Sequence, residues 1–189
     1  MVIYVNNFNI FKSSLSMFLI IFSSILNSQE LVIGVERLKP GIAIVFEGAI
    51  KDKIYPTNIN LDINDTDVHI EARINWDSNA GPSGSPMGGF IPYLNVKAKI
   101  TNQKTGFHIL VDLIPHINLS DNFHYARNIS LPGNIDDLYN IEFIIKPPKK
   151  IDLSFHNDWL KKYGDRLIDE QNFKYRNINF YEVAKATRS

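Results

Sequence analysis

The sequence predicts an all-β protein, an antiparallel sandwich with one short helical segment near the C-terminus. Three observations lead there. Apolar and polar residues alternate with period two in Val68–Ile74 and again in Leu94–Ile100, the pattern of half-buried strands. Turn signals separate the apolar runs at Lys39-Pro40-Gly41, Asp77–Gly89, Thr101–Gly106 and Pro147-Pro148. No strand–helix–strand alternation is present, which argues against a parallel sheet.

Residues 1–28 read as a secretory signal peptide. Lys12 precedes the apolar stretch Ser13–Leu26, and a small residue, Ser28, closes it. The stretch is shorter than the ~20 residues of a membrane span, and an uncleaved anchor is the alternative. A single β domain is expected over residues 29–183, with 184–189 as a tail. Leu31–Val35 and Ile42–Phe46 are strands on either side of the first turn. Val68–Ile74 and Leu94–Ile100 flank a surface loop, residues 77–89, too rich in Gly, Pro and Ser for a regular element. Phe107–Ile114 follows a hairpin turn, Tyr139–Ile145 ends at the two prolines, and Phe173–Val183 reads as a closing strand. Within Asn157–Gln171, residues Trp159, Leu160, Tyr163, Leu167 and Ile168 have helical spacing, interrupted by Gly164.

Composition narrows the function. Lys plus Arg and Asp plus Glu are both 20, so no net charge favours nucleic acid or an anionic membrane. Hydrophobic residues at 44% suffice for a core. There is no cysteine, which removes disulfides, thiolate ligands and cysteine nucleophiles together. The sequence holds no Gly-x-Ser-x-Gly, no phosphate-binding glycine loop before a helix and no His-Glu-x-x-His. Three Asn-x-Ser/Thr triplets start at Asn64, Asn118 and Asn128; chance supplies such triplets in an asparagine-rich chain.

Imidazole is the remaining chemistry. His69 and Glu71 stand two apart in a strand, so they share one face. His116 and His124 flank a loop, Ile117–Phe123, that can fold back and bring them together. His156 follows another strand, and His108 falls outside the set. Imidazoles with a carboxylate suit copper(II), zinc or iron. Against this, His-x-Glu is also an ordinary polar pair on a solvated strand, and each other histidine alone is an ordinary surface residue. A small copper-dependent redox enzyme and an adhesion-type sandwich with scattered histidines are the rival readings.

Four blocks, in order, resemble the bacterial periplasmic iron-transport family. They are Asp67-Val68-His69-Ile70-Glu71-Ala72, Gly89-Phe90-Ile91-Pro92-Tyr93-Leu94, Ser120–Tyr125 with Asn128-Ile129, and Tyr139–Ile141 through Pro147-Pro148 to Phe155-His156-Asn157-Asp158. The resemblance runs from about Gly41 to Phe180. It implies a dimeric sandwich of the immunoglobulin-like, cupredoxin-like kind, exported to the periplasm. Such a protein binds metal rather than acting as an enzyme, and it accompanies a membrane iron permease. The implied ligands are His69, His124 and His156, with Glu71 contributing, for copper or iron, or else manganese or zinc. The family carries a methionine ligand after a proline; here that step is Pro115-His116, so His116 takes the place of the thioether.

Overall fold

In the computed structural model the described residues are 30–187. The signal-peptide assignment therefore lies outside them. Eight strands form one antiparallel sheet in the order β1-β2-β3-β6-β5-β4-β7-β8. They are β1 (Leu31–Leu38), β2 (Ile42–Ala49), β3 (Val68–Trp76), β4 (Asn95–Asn102), β5 (His108–Asn118), β6 (Asn122–Ile129), β7 (Leu138–Lys146) and β8 (Gln171–Asn179). Two short segments, α1 (Asn157–Tyr163) and α2 (Tyr181–Lys185), are the α-helices among the described residues.

The sheet curls almost into a barrel. Strand β5 makes the corner, because its first half pairs with β4 from Leu113 back to His108 while its second half pairs with β6 from Ile114 to Asn118. The edge strands approach each other where Tyr175 Oη donates to Glu36 at 2.8 Å. Gly34 allows that approach: a Cβ there would lie 2.3 Å from the Tyr175 ring. The alternating apolar residues point inward. Phe46 stacks on Phe143 with centroids 4.0 Å apart, and Ile44, Ile70, Ile74, Ile100 and Ile141 fill the space around them, all buried.

Most strands fall where the alternation placed them, and residues 77–89 form turns only. Three differences stand out. The region from Asn122 to Ile129 is a full strand, β6, although its polar residues Asn122, Arg127 and Asn128 concealed it. The closing strand stops at Asn179, and the chain turns at buried Phe180 into α2, whose Val183 and Ala184 are buried. That helix runs two residues past the expected domain limit at 183. The helical segment is shorter than Asn157–Gln171, since α1 ends at Gly164 with φ 87°. A positive φ favours glycine.

Candidate metal centre

Strand β3 has two faces. Val68, Ile70, Ala72 and Ile74 enter the core, which sends His69, Glu71 and Arg73 to the opposite side. The register fixes their neighbours. Glu47 of β2 pairs with Glu71, Asn128 of β6 pairs with His69, and Ala126 of β6 pairs with Glu71. Across the next ladder His116 of β5 sits directly opposite His124 of β6. What reads in sequence as a loop between these two histidines is a tight hairpin, and cross-strand pairing is what juxtaposes them. Ala126, between Glu71 and Ile114, contributes only a methyl to this face, which leaves room between the rings.

The face would be solvated if it stood alone. Instead His69 is 3%, Glu71 2% and His124 1% exposed. The segment between β2 and β3 contributes to the cover, and it is tied down by Asn128, whose Nδ2 donates to Asp52 O at 2.8 Å and to Leu61 O at 3.3 Å. A cavity of about 490 Å³ separates this segment from the end of β5, with Asp52, Tyr55, Asn60 and His116 on its wall.

One ring nitrogen from each of His69, His116 and His124 lies within 4.8 Å of the other two. Around one ion with bonds of about 2.0–2.1 Å, ligand nitrogens stand roughly 3.3–3.5 Å apart, so small side-chain rotations close the set. The rings are already grouped, with centroids 5.3 Å apart for His69–His116, 6.2 Å for His69–His124 and 6.1 Å for His116–His124. Glu71 Oε1 lies 3.5 Å from His69 Nε2 and 3.9 Å from His124 Nε2. Those separations are too long for hydrogen bonds and place the carboxyl at the same point. His124 Nδ1 lies 3.1 Å from the Asn122 carbonyl. A carbonyl only accepts, so Nδ1 carries the hydrogen and Nε2 presents its lone pair. His116 is the most telling member: both its ring nitrogens are buried and neither has a hydrogen-bond partner among the described residues. Buried polar atoms are seldom left so.

Burial sets the charge states at this point. Burial pushes the Glu71 carboxyl up to about 8, helped by the negative charges of Asp121, Glu47 and Glu30 and opposed by Arg73. Burial pushes His116 down to about 4, with His124 and Arg127 adding to the effect. His116 is thus neutral and ligand-ready at physiological pH. Arg73 bonds Glu47 Oε1 at 2.7 Å and Asp121 Oδ1 at 3.3 Å, and so compensates the two carboxylates that flank the site.

Four of the five residues expected from sequence meet here: His69, Glu71, His116 and His124. His156 does not join them within one chain. It is exposed at the N-terminus of α1 and borders a separate cavity with Trp76, Tyr93, Phe155 and Trp159. Asn128, Glu47 and Asp121 were not legible as neighbours of the site, because Asn128 and Asp121 are placed by the β6 pairings and Glu47 by the β2–β3 register. The lone acid in the apolar run Ile42–Ala49, Glu47, was the available signal.

Three imidazoles and a carboxyl gathered at one buried point on an antiparallel β scaffold define a transition-metal-binding class of protein. The sequence matches the family described as Fe2+ transport protein over residues 27–181. The chain belongs to that family. Solved structures agree on the fold. A copper-bound variant of the P19 protein of Campylobacter jejuni is 26% identical, with 78% of this chain and 96% of that chain covered and a TM-score of 0.65. Copper-reconstituted P19 from the same organism is 25% identical over 78% of this chain and 94% of that one, with a TM-score of 0.64. FetP of uropathogenic Escherichia coli, as isolated, is 22% identical over 79% and 95%, also with a TM-score of 0.64, which bears on the fold alone. Among curated protein sequences none matches.

Proposed function

We propose that the protein captures a single transition-metal ion, copper or iron, at His69, Glu71, His116 and His124, and works in iron uptake beside a membrane iron permease. Manganese or zinc would fit the same donors less specifically. The observation that carries this is His116, whose two buried nitrogens have no hydrogen-bond partner among the described residues and which an ion would engage. Membership of an Fe2+ transport family supports the transport role, and the copper-bound state of P19 supports copper as an occupant. The periplasm is the compartment this reading requires, with residues 1–28 as the export signal. A cupredoxin-like sandwich is the scaffold type it implies. Turnover of an organic substrate forms no part of it.

The exposed position of His156 joins two expectations into one. A homodimer would let the His156 of a second copy reach the three-histidine set from outside, as the fourth imidazole. Metal analysis and competition titration of the purified protein test the core of the reading. The wild type should hold one ion per chain, and His116→Ala should lose affinity by about 10-fold or more. His108→Ala is the control, since His108 lies at the far end of β5, roughly 26 Å away at ~3.3 Å per residue. Equal loss in both variants would remove the site.

A further inference from the structure

Asn128 stands beside the site without being a metal ligand, and its two ends do different things. Its Nδ2 is committed to two backbone carbonyls, of Asp52 and Leu61. Carbonyls only accept, so the amide cannot be turned round without setting oxygen against oxygen. Its Oδ1 must therefore be the end facing His69 Nδ1, at 2.7 Å. An amide oxygen also only accepts, so His69 Nδ1 carries the hydrogen and, in the neutral ring, Nε2 is the unprotonated nitrogen. That nitrogen is the one directed at Glu71. Asn128 is 3% exposed, so water does not readily replace it. The same burial rules out its Asn-x-Ser triplet as a glycosylation site in the folded protein.

We infer that Asn128 is a positioning residue for metal capture: its oxygen fixes the tautomer and tilt of His69, and its nitrogen holds the segment 52–61 over the site. The inference rests on the proposed function and adds a coupling to it. A hydrogen-bonded partner of this kind orients a ligating imidazole and raises its basicity. Because one amide serves both bonds, the tilt of His69 and the seating of the covering segment are mechanically joined. The wall of the cavity that reaches His116 is built from that segment. Ligand geometry and access to the ion are thus set by one side chain.

Two substitutions separate the two ends. Asn128→Asp keeps an acceptor for His69 Nδ1–H and loses both donations to the carbonyls. Asn128→Leu loses both functions. Affinity for copper(II), measured by chelator competition, should fall about 10–100-fold in Asn128→Leu and stay within a few-fold of wild type in Asn128→Asp. Hydrogen exchange and limited proteolysis across residues 50–62 should accelerate in both variants. Nitrogen-15 spectra of the metal-free full chain should show His69 as the Nδ1–H tautomer in the wild type, a result that does not depend on either variant folding. The opposite tautomer, equal affinity in Asn128→Leu and wild type, or a covering segment unchanged in both variants would overturn the inference. Failure of the wild type itself to bind copper would instead overturn the proposed function.

Discussion

Glu71 is the residue whose chemistry changes most when an ion arrives. Its carboxyl is held up at about 8 by burial and neighbouring acids, against an ordinary value of 4.5. It is therefore protonated at pH 7, and a metal ion that draws it into coordination expels that proton. Calorimetry in buffers of different ionisation enthalpy should find about one proton released per ion at pH 7, and affinity should keep rising until about pH 8. Proton release absent at pH 7 would mean that Glu71 stays out of the coordination sphere. The metal-free fold has a matching signature. Between pH 4.5 and 8 the folded state holds a proton that the unfolded chain lacks, so the Glu71 contribution is lost as pH rises. His116, lowered to about 4 from 6.5, acts in the other direction: the unfolded chain binds the proton first, and stability is lost as pH falls from about 6.5 to 4. The two windows overlap, so their effects should offset each other between about pH 4.5 and 6.5, and denaturant midpoints of the metal-free protein should decline from about pH 6.5 to 8, where Glu71 acts alone. His116 is also the residue at which the proposed metal preference can be tested. His116→Met substitutes a soft thioether for an imidazole, and copper(I) affinity should rise relative to copper(II), with the copper potential rising too. An unchanged ratio of the two affinities would remove His116 from the ligand set.

At the scale of elements, the site is a product of pairing between β3, β6 and β5. Period-two alternation made β3 legible, and with it the shared face of His69 and Glu71. Strand β6 was not legible, because both its faces carry polar residues: Asn128 and His124 line the site, and Arg127 lies on the reverse face. The pairing of His116 with His124 was accordingly anticipated as a loop closing on itself, when a ladder with a tight turn brings them together. The closing strand was drawn too long, since buried Phe180 and Val183 continue an apolar pattern that a helix satisfies equally well. His156 was grouped with the others because its block stands in the right order, and order along the chain says nothing about position within one subunit. The seam between β1 and β8 offers a test free of metal chemistry. Gly34→Ala drives a methyl into the Tyr175 ring and should destabilise the protein by about 1–3 kcal/mol, as overpacking does, measured by urea unfolding. Metal affinity of the folded fraction should be unchanged, and a loss of it would show that the seam shapes the site.

The whole molecule gathers three imidazoles on one face and leaves a fourth, His156, exposed at the N-cap of α1. If a second copy completes the site, subunits lacking different ligands should complement each other. Mixing His69→Ala with His156→Ala chains should restore high-affinity binding in heterodimers, up to one intact site per pair, and a mixture that binds no better than its parts would confine the site to a single chain. The central claim is that His69, His116 and His124 hold one ion together. Anomalous diffraction at the copper edge from copper-loaded crystals tests it most directly. One anomalous peak per chain is expected, bonded to His69 Nε2, His124 Nε2 and a nitrogen of His116 at about 2.0–2.1 Å, with Glu71 beside it. A peak elsewhere on the chain, or three histidines still apart with no peak between them, would contradict it.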